Sequence, residues 1–121
     1  MRLDTDLVRA LLLQSEAAPP NQAPTIDLPD YDRDAVLEHV ELLRERGLIE
    51  ARIVRSGSGG GRIYTAHVER LTWEGHEFLQ NARNEEVWQR AKTLVREKGG
   101  SISFELFKAL LVKLAAQQFG L

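Results

Sequence analysis

The sequence predicts an α+β fold: helix, short strand, helix, β-hairpin and helix, followed by two further helices. Three observations predict it. Apolar residues recur at helical spacing in five separate stretches, and two β-rich runs flank the glycine cluster at residues 57–61. Capping residues, prolines or glycines punctuate most of the junctions. With 121 residues the chain can bury a core of its own, so 1–121 is expected to be one domain, with 84–121 a C-terminal helical extension packed on it.

Asp4 or Thr5 can cap a first helix that reaches residue 17. Leu7, Val8, Leu11 and Leu12 form its apolar stripe. Pro19 and Pro20 end it, because consecutive prolines cannot continue a helix. Residues 25–28 (Thr-Ile-Asp-Leu) alternate polar and apolar and read as a short strand between Pro24 and Pro29. A second helix spans residues 33–46, with Val36, Val40 and Leu43 on one side and Leu37 adjacent. Gly47 supplies the left-handed residue that closes it, and Arg44 and Arg46 suit its negative end.

Residues 48–54 and 62–68 read as the two strands of a hairpin, joined through the glycine tip at 57–61. Thr72 caps a third helix over 73–82, in which Trp73, Phe78, Leu79 and Ala82 face a core. Gly75 inside that helix costs about 1 kcal/mol against alanine. Its expected use is close packing against the hairpin, where a side chain would clash. Asn84 caps a fourth helix over 85–98, which buries Val87, Trp88, Ala91 and Leu94 or Val95; Gly99 and Gly100 break it. Ser103 caps a last helix that ends at residue 118. Its apolar face is Phe107, Leu110, Leu111 and Leu114, extended by Phe104 and Phe119. Core packing against the first helix is the favoured use of that broad face. A homodimer seam through 103–118 is the alternative.

Composition excludes several function classes. No cysteine is present, so there are no disulfides and no thiolate metal sites. The longest apolar runs fall well short of a bilayer crossing, and the first residues lack the pattern of a secretory signal. A cytoplasmic protein without membrane contact is expected. The net charge of −2 is unevenly spread. Residues 1–47 hold ten acids against five arginines, whereas 48–70 hold four arginines against two glutamates. The excess of positive charge therefore starts in the hairpin.

The element order and two local motifs carry a resemblance. Leu42-Leu43-Arg44-Glu45-Arg46-Gly47-Leu48-Ile49-Glu50 resembles the end of a recognition helix entering the wing in winged-helix repressors of the multiple-antibiotic-resistance-regulator type. Leu71-Thr72-x-x-Gly75-x-x-Phe78-Leu79 resembles their exit from the wing. Over nearly the whole chain, R-L-T-W-E-G-H-E-F-L at residues 70–79 and G-G-S-I-S-F-E-L-F-K at 99–108 resemble a family of small bacterial and phage-borne proteins catalogued as a domain of unknown function. The resemblance implies a winged-helix-like fold and supplies no activity to carry over. One departure is that residues 28–32 leave little room for the helix that usually braces a recognition helix on DNA.

Two surfaces compete for a role. Arg52, Arg55 and Arg62 surround the glycine tip, with Arg33 and Arg44 on the second helix, and could hold phosphates of double-stranded DNA. Asp34, Glu38, Glu41 and Glu45 recur at spacings that place them on one face of the second helix. That acidic face would repel a major groove and would suit a basic protein partner. The glycine cluster is no nucleotide loop, because a strand and not a helix follows it. His76-Glu77 lacks the second histidine of a metalloprotease helix, Gln80 standing in its place. His39, His67 and His76 are scattered and read as surface or half-buried, so no metal, no cofactor and no enzymatic activity are expected. The expectation is a weak DNA-binding accessory protein in transcription control, acting through its wing. The alternative is a protein-interaction module that uses the acidic face.

Overall fold

The computed structural model describes residues 1–57 and 61–121, with the Tyr64 side chain left aside. Ser58, Gly59 and Gly60 of the expected glycine tip lie outside the described residues. The elements follow the order α1 (Thr5–Glu16), α2 (Arg33–Arg46), β1 (Ile49–Arg55), β2 (Ile63–Leu71), α3 (Trp73–Ala82), α4 (Glu85–Glu97) and α5 (Phe104–Gln118). This is a mixed α+β chain in the expected order of helix, hairpin and helix, with the two additional helices at its C-terminal end.

Each helix starts where a short polar side chain can accept from an unpaired N–H of the first turn. Asp4 accepts from Asp6 and Leu7, Asp32 from Ala35, Thr72 from Gly75, Asn84 from Val87, and Ser103 from Leu106. Gly47 closes α2 in the left-handed conformation at φ 81°.

Residues 25–28 do not form the expected short strand; among the described residues the sheet has two strands, β1 and β2. The Gln14 side chain takes the place of a neighbouring strand. Its Nε2 donates to the Asp27 carbonyl at 2.7 Å and its Oε1 accepts from the Asp27 N–H at 2.8 Å. One amide thus satisfies both backbone groups of Asp27, and the segment needs no ladder.

The chain divides into two compact units, 1–76 and 77–121, with the boundary inside α3. In the first unit, α1 and α2 pack on the hairpin. Leu7, Leu11 and Leu12 of α1, Leu37, Val40 and Leu43 of α2, and Ile49, Val68 and Leu71 of the strands are buried. Val36 is half-buried and Leu37 takes the inner position, so the apolar side of α2 is turned slightly from the expected one. His39 was expected at or near the surface. It is 1% exposed, one step from Val40 and four from Leu43 on that same inner side. Its Nε2 accepts from the Asp4 N–H at 2.9 Å and its Nδ1 meets the Ala35 carbonyl at 2.7 Å. This is the neutral tautomer with the proton on Nδ1.

β1 and β2 pair antiparallel from Ile49↔Leu71 to Arg55↔Ile63, with irregularities at Glu50/Ala51 and Val54/Arg55. β2 runs to Leu71 and leads directly into α3. The joint is tight. The Thr72 N–H donates to the Leu48 carbonyl at 3.1 Å, Thr72 Oγ1 donates to the Gly47 carbonyl, and that same oxygen accepts from the Gly75 N–H at 3.1 Å. Trp73 was expected in the core and is 74% exposed. At the first position of α3 it precedes the inward-facing residues, which start with Gly75.

In the second unit, α4 packs on α5. Trp88 meets Phe107 edge-on at 5.3 Å, and Phe78 stacks on Phe104 at 5.5 Å. Such ring pairs contribute about 0.5–1.5 kcal/mol each beyond area burial. Leu94 and Val95 are both half-buried, and Phe119, expected to extend the apolar face of α5, is 84% exposed.

Candidate nucleic-acid interface at the second helix and hairpin

Burial alternates along the start of β1. Ile49 and Ala51 point inward, while Glu50 and Arg52 point out. The irregularity at Val54/Arg55 places an extra residue on β2, so β1 itself keeps its alternation through Arg55. Arg55 falls on the same side of β1 as Ile49 and Ala51, the side of α2, where its guanidinium forms an ion pair with Glu41. On the returning strand side, Arg62 Nη2 donates to Asp34 Oδ2 at 3.2 Å. The two surfaces that compete in the sequence are therefore joined by two ion pairs. The Arg62–Asp34 pair is well solvated, with side-chain exposures of 73% and 59%, and such pairs contribute about 0.2–1 kcal/mol. Glu41 is more sheltered than Asp34, which makes the Arg55–Glu41 pair the better screened from salt.

An open cleft of about 550 Å³ lies between the start of α2 and the hairpin. Arg33, Ser56, Arg62, Ile63 and Thr65 line it. Two arginines, a serine and a threonine line the same space, and no carboxylate is among the lining residues. Such a donor set matches phosphate oxygens, because guanidiniums present paired N–H groups to two oxygens at once. Asp32 positions this site by capping α2, which places Arg33 at the first helical residue and Asp34 next to it.

The five arginines singled out from the sequence do not form one patch. Arg33 and Arg62 share the cleft, and Arg55 stands on the same side of the hairpin, against α2. Arg52 is exposed on the outward face of β1, in register with His67, and holds no ion pair among the described residues. Arg44 is exposed in the last turn of α2, roughly 16 Å along the helix from Arg33 at about 1.5 Å per residue. Of the acidic face, Asp34 and Glu41 are paired, while Glu38 and Glu45 are exposed and hold no ion pair among the described residues. Sequence reading missed the cleft hydroxyls of Ser56 and Thr65. The position of Ser56, directly before the glycine tip, is the one local signal that marked it. Burial of His39 was readable from its place on the apolar stripe of α2.

A second charge pairing lies on the outward face of the hairpin. Arg70 makes two bonds of 3.0 Å to the carboxylate of Glu50, its register partner. Near the start of α1, the Tyr31 hydroxyl is pushed above its ordinary range, first by burial and then by the carboxylates of Asp4, Asp6 and Asp30. Among the described residues no group of three His, Asp or Glu side chains is placed to hold a metal ion. No described helix is long and apolar enough to cross a membrane.

A family model described as "Hypothetical protein (DUF2513)" matches residues 2–101. The chain is similar to an "Uncharacterized protein" of Haemophilus influenzae, 33% identical over 121 residues, which cover 97% of this chain and 98% of the relative. No solved structure matches it.

Proposed function

The chain belongs to the DUF2513 family, and we propose that it is a non-enzymatic module that binds the phosphate backbone of double-stranded DNA through the cleft between α2 and the hairpin. The observation that carries this reading is the carboxylate-free lining of the cleft, Arg33, Ser56, Arg62 and Thr65 around Ile63. Arg55 on the same side of the hairpin is a fifth polar contact to the backbone. The exposed acids Glu38 and Glu45 keep the face of α2 out of a major groove, so binding follows the backbone and reads little sequence. A cytoplasmic accessory role in transcription control fits such a module.

The test is a fluorescence-anisotropy titration of a labelled duplex. Backbone binding of this kind has a Kd of roughly 1–100 µM near physiological salt. Three arginine–phosphate contacts weaken it about 40-fold between about 50 and 200 mM salt. Replacing Arg33, Arg55 and Arg62 by alanine removes most of the affinity and most of that salt dependence. Binding that ignores both the salt and the substitutions overturns the reading.

Glu38 and Glu45 also support a second reading, docking of a basic protein segment on α2. In that case an arginine-rich peptide titrated in the same assay binds, and Glu38→Lys with Glu45→Lys abolishes its binding. A peptide that binds the reversed variant equally well removes this reading.

A further inference from the structure

We propose that Asp34 and Glu41 act as internal stand-ins for phosphate, holding Arg62 and Arg55 in an autoinhibitory latch that a nucleic-acid backbone must displace. The inference rests on the nucleic-acid reading given above and concerns how that same site is regulated.

The chemistry of exchange is direct. A carboxylate offers a guanidinium the same two-oxygen acceptor that a phosphodiester does. Arg62 lines the cleft and is at the same time bonded to Asp34 Oδ2 at 3.2 Å. Arg55 stands on the α2 side of β1 and is paired with Glu41. Both of the hairpin arginines on the α2 side are thus already engaged by acids of α2.

The pairs are not needed to hold α2 in place. Buried Leu37, Val40 and Leu43 pack that helix in the first unit, and Gly47 and Leu48 tie its end to the joint with α3. The acids can therefore release the arginines without a change of fold. Arg62 and Asp34 are both more than half exposed, so an incoming phosphate reaches the pair from solvent. That exposed pair is worth a factor of about 1.5–5, weak enough for a phosphate to replace, and Arg55 remains 45% exposed beside the more sheltered Glu41. Neutralising both acids also takes two negative charges away from the approaching backbone.

The test compares four proteins on one labelled duplex at about 50 mM salt. They are the wild type, Asp34→Asn with Glu41→Gln, Arg55→Ala with Arg62→Ala, and all four substitutions together. A fifth protein, Glu38→Gln with Glu45→Gln, makes the same change of charge at carboxylates that hold no ion pair. Circular dichroism confirms that each is folded. The latch predicts that Asp34→Asn with Glu41→Gln binds on the order of tenfold tighter than wild type. The charge-matched control gains about threefold or less. The gain disappears in the quadruple variant. If the paired and unpaired acids give equal gains, or the gain survives in the quadruple variant, the latch is wrong. If the acid variant binds like wild type while the arginine variant loses binding, the nucleic-acid reading stands and the latch falls. If neither wild type nor the acid variant binds, or the arginine variant binds as well as wild type, the nucleic-acid reading itself falls.

Discussion

Gly75→Ala is the substitution whose outcome the geometry determines most sharply. A Cβ built on Gly75 would stand 2.1 Å from the Leu48 carbonyl oxygen, 3.1 Å from its carbon and 3.2 Å from Leu71 Cδ2. An ordinary carbon–oxygen contact needs about 3.3 Å, so the carbonyl would have to retreat by roughly 1 Å. The obstacle is backbone and cannot rotate away. That carbonyl accepts the Thr72 N–H at 3.1 Å, so its retreat stretches the hydrogen bond that ties α3 to the end of α2. Overpacking of this kind costs about 1–3 kcal/mol. The weakened hydrogen bond adds about 1 kcal/mol. Alanine returns about 1 kcal/mol through its better helix propensity. The net expectation is destabilisation by about 1–3 kcal/mol. In thermal unfolding followed by circular dichroism this lowers Tm by about 4–12 °C. Gln80→Ala, at an exposed site of the same helix, isolates the propensity gain and leaves Tm unchanged or slightly higher. If Gly75→Ala also raises or preserves Tm, the close approach does not exist in solution and the account of this joint fails.

Two further predictions follow from other groups. His39→Leu leaves the Asp4 N–H without its acceptor and costs about 1–3 kcal/mol, read as a lower urea midpoint; His39→Gln, which can still accept there, costs less than half as much. Equal stability of the Leu variant and wild type would show that this bond contributes nothing. The Tyr31 hydroxyl ionises above the usual tyrosine value of 10.0, and Asp4→Asn lowers its titration, measured by ultraviolet absorbance with Tyr31→Phe as the blank. Because the folded value is the raised one, the stability it contributes is full below about pH 10 and is lost as pH rises through the folded value. A Tyr31 that titrates at or below the ordinary value contradicts this.

The candidate site was legible only in part. Its arginines stood out because they flank a glycine tip, and its acids because their spacing fits one helix face. Their pairing was not legible, because Arg62 and Asp34 lie 28 positions apart and meet only through the fold. Arg52 counted equally with Arg55 in the sequence. Strand alternation sends Arg52 outward and Arg55, three positions on, to the side of α2, while the partner that Arg55 meets there depends on the fold.

The sequence by itself determined the helices, most of their caps, the hairpin and the turn at Gly47. It also singled out Gly75 as a residue in need of a reason. Each of these depends on a few neighbouring residues, through caps that accept from N–H groups three positions on and through apolar spacing that repeats within a turn or two. Tertiary structure alone decided the rest. It left residues 25–28 without strand pairing because the Gln14 amide satisfies Asp27, and it exposed Trp73. It also paired two arginines of the hairpin with two acids of α2. These outcomes turn on contacts between residues distant in sequence, where burial and charge are set by what packs opposite and not by the residue's own preference.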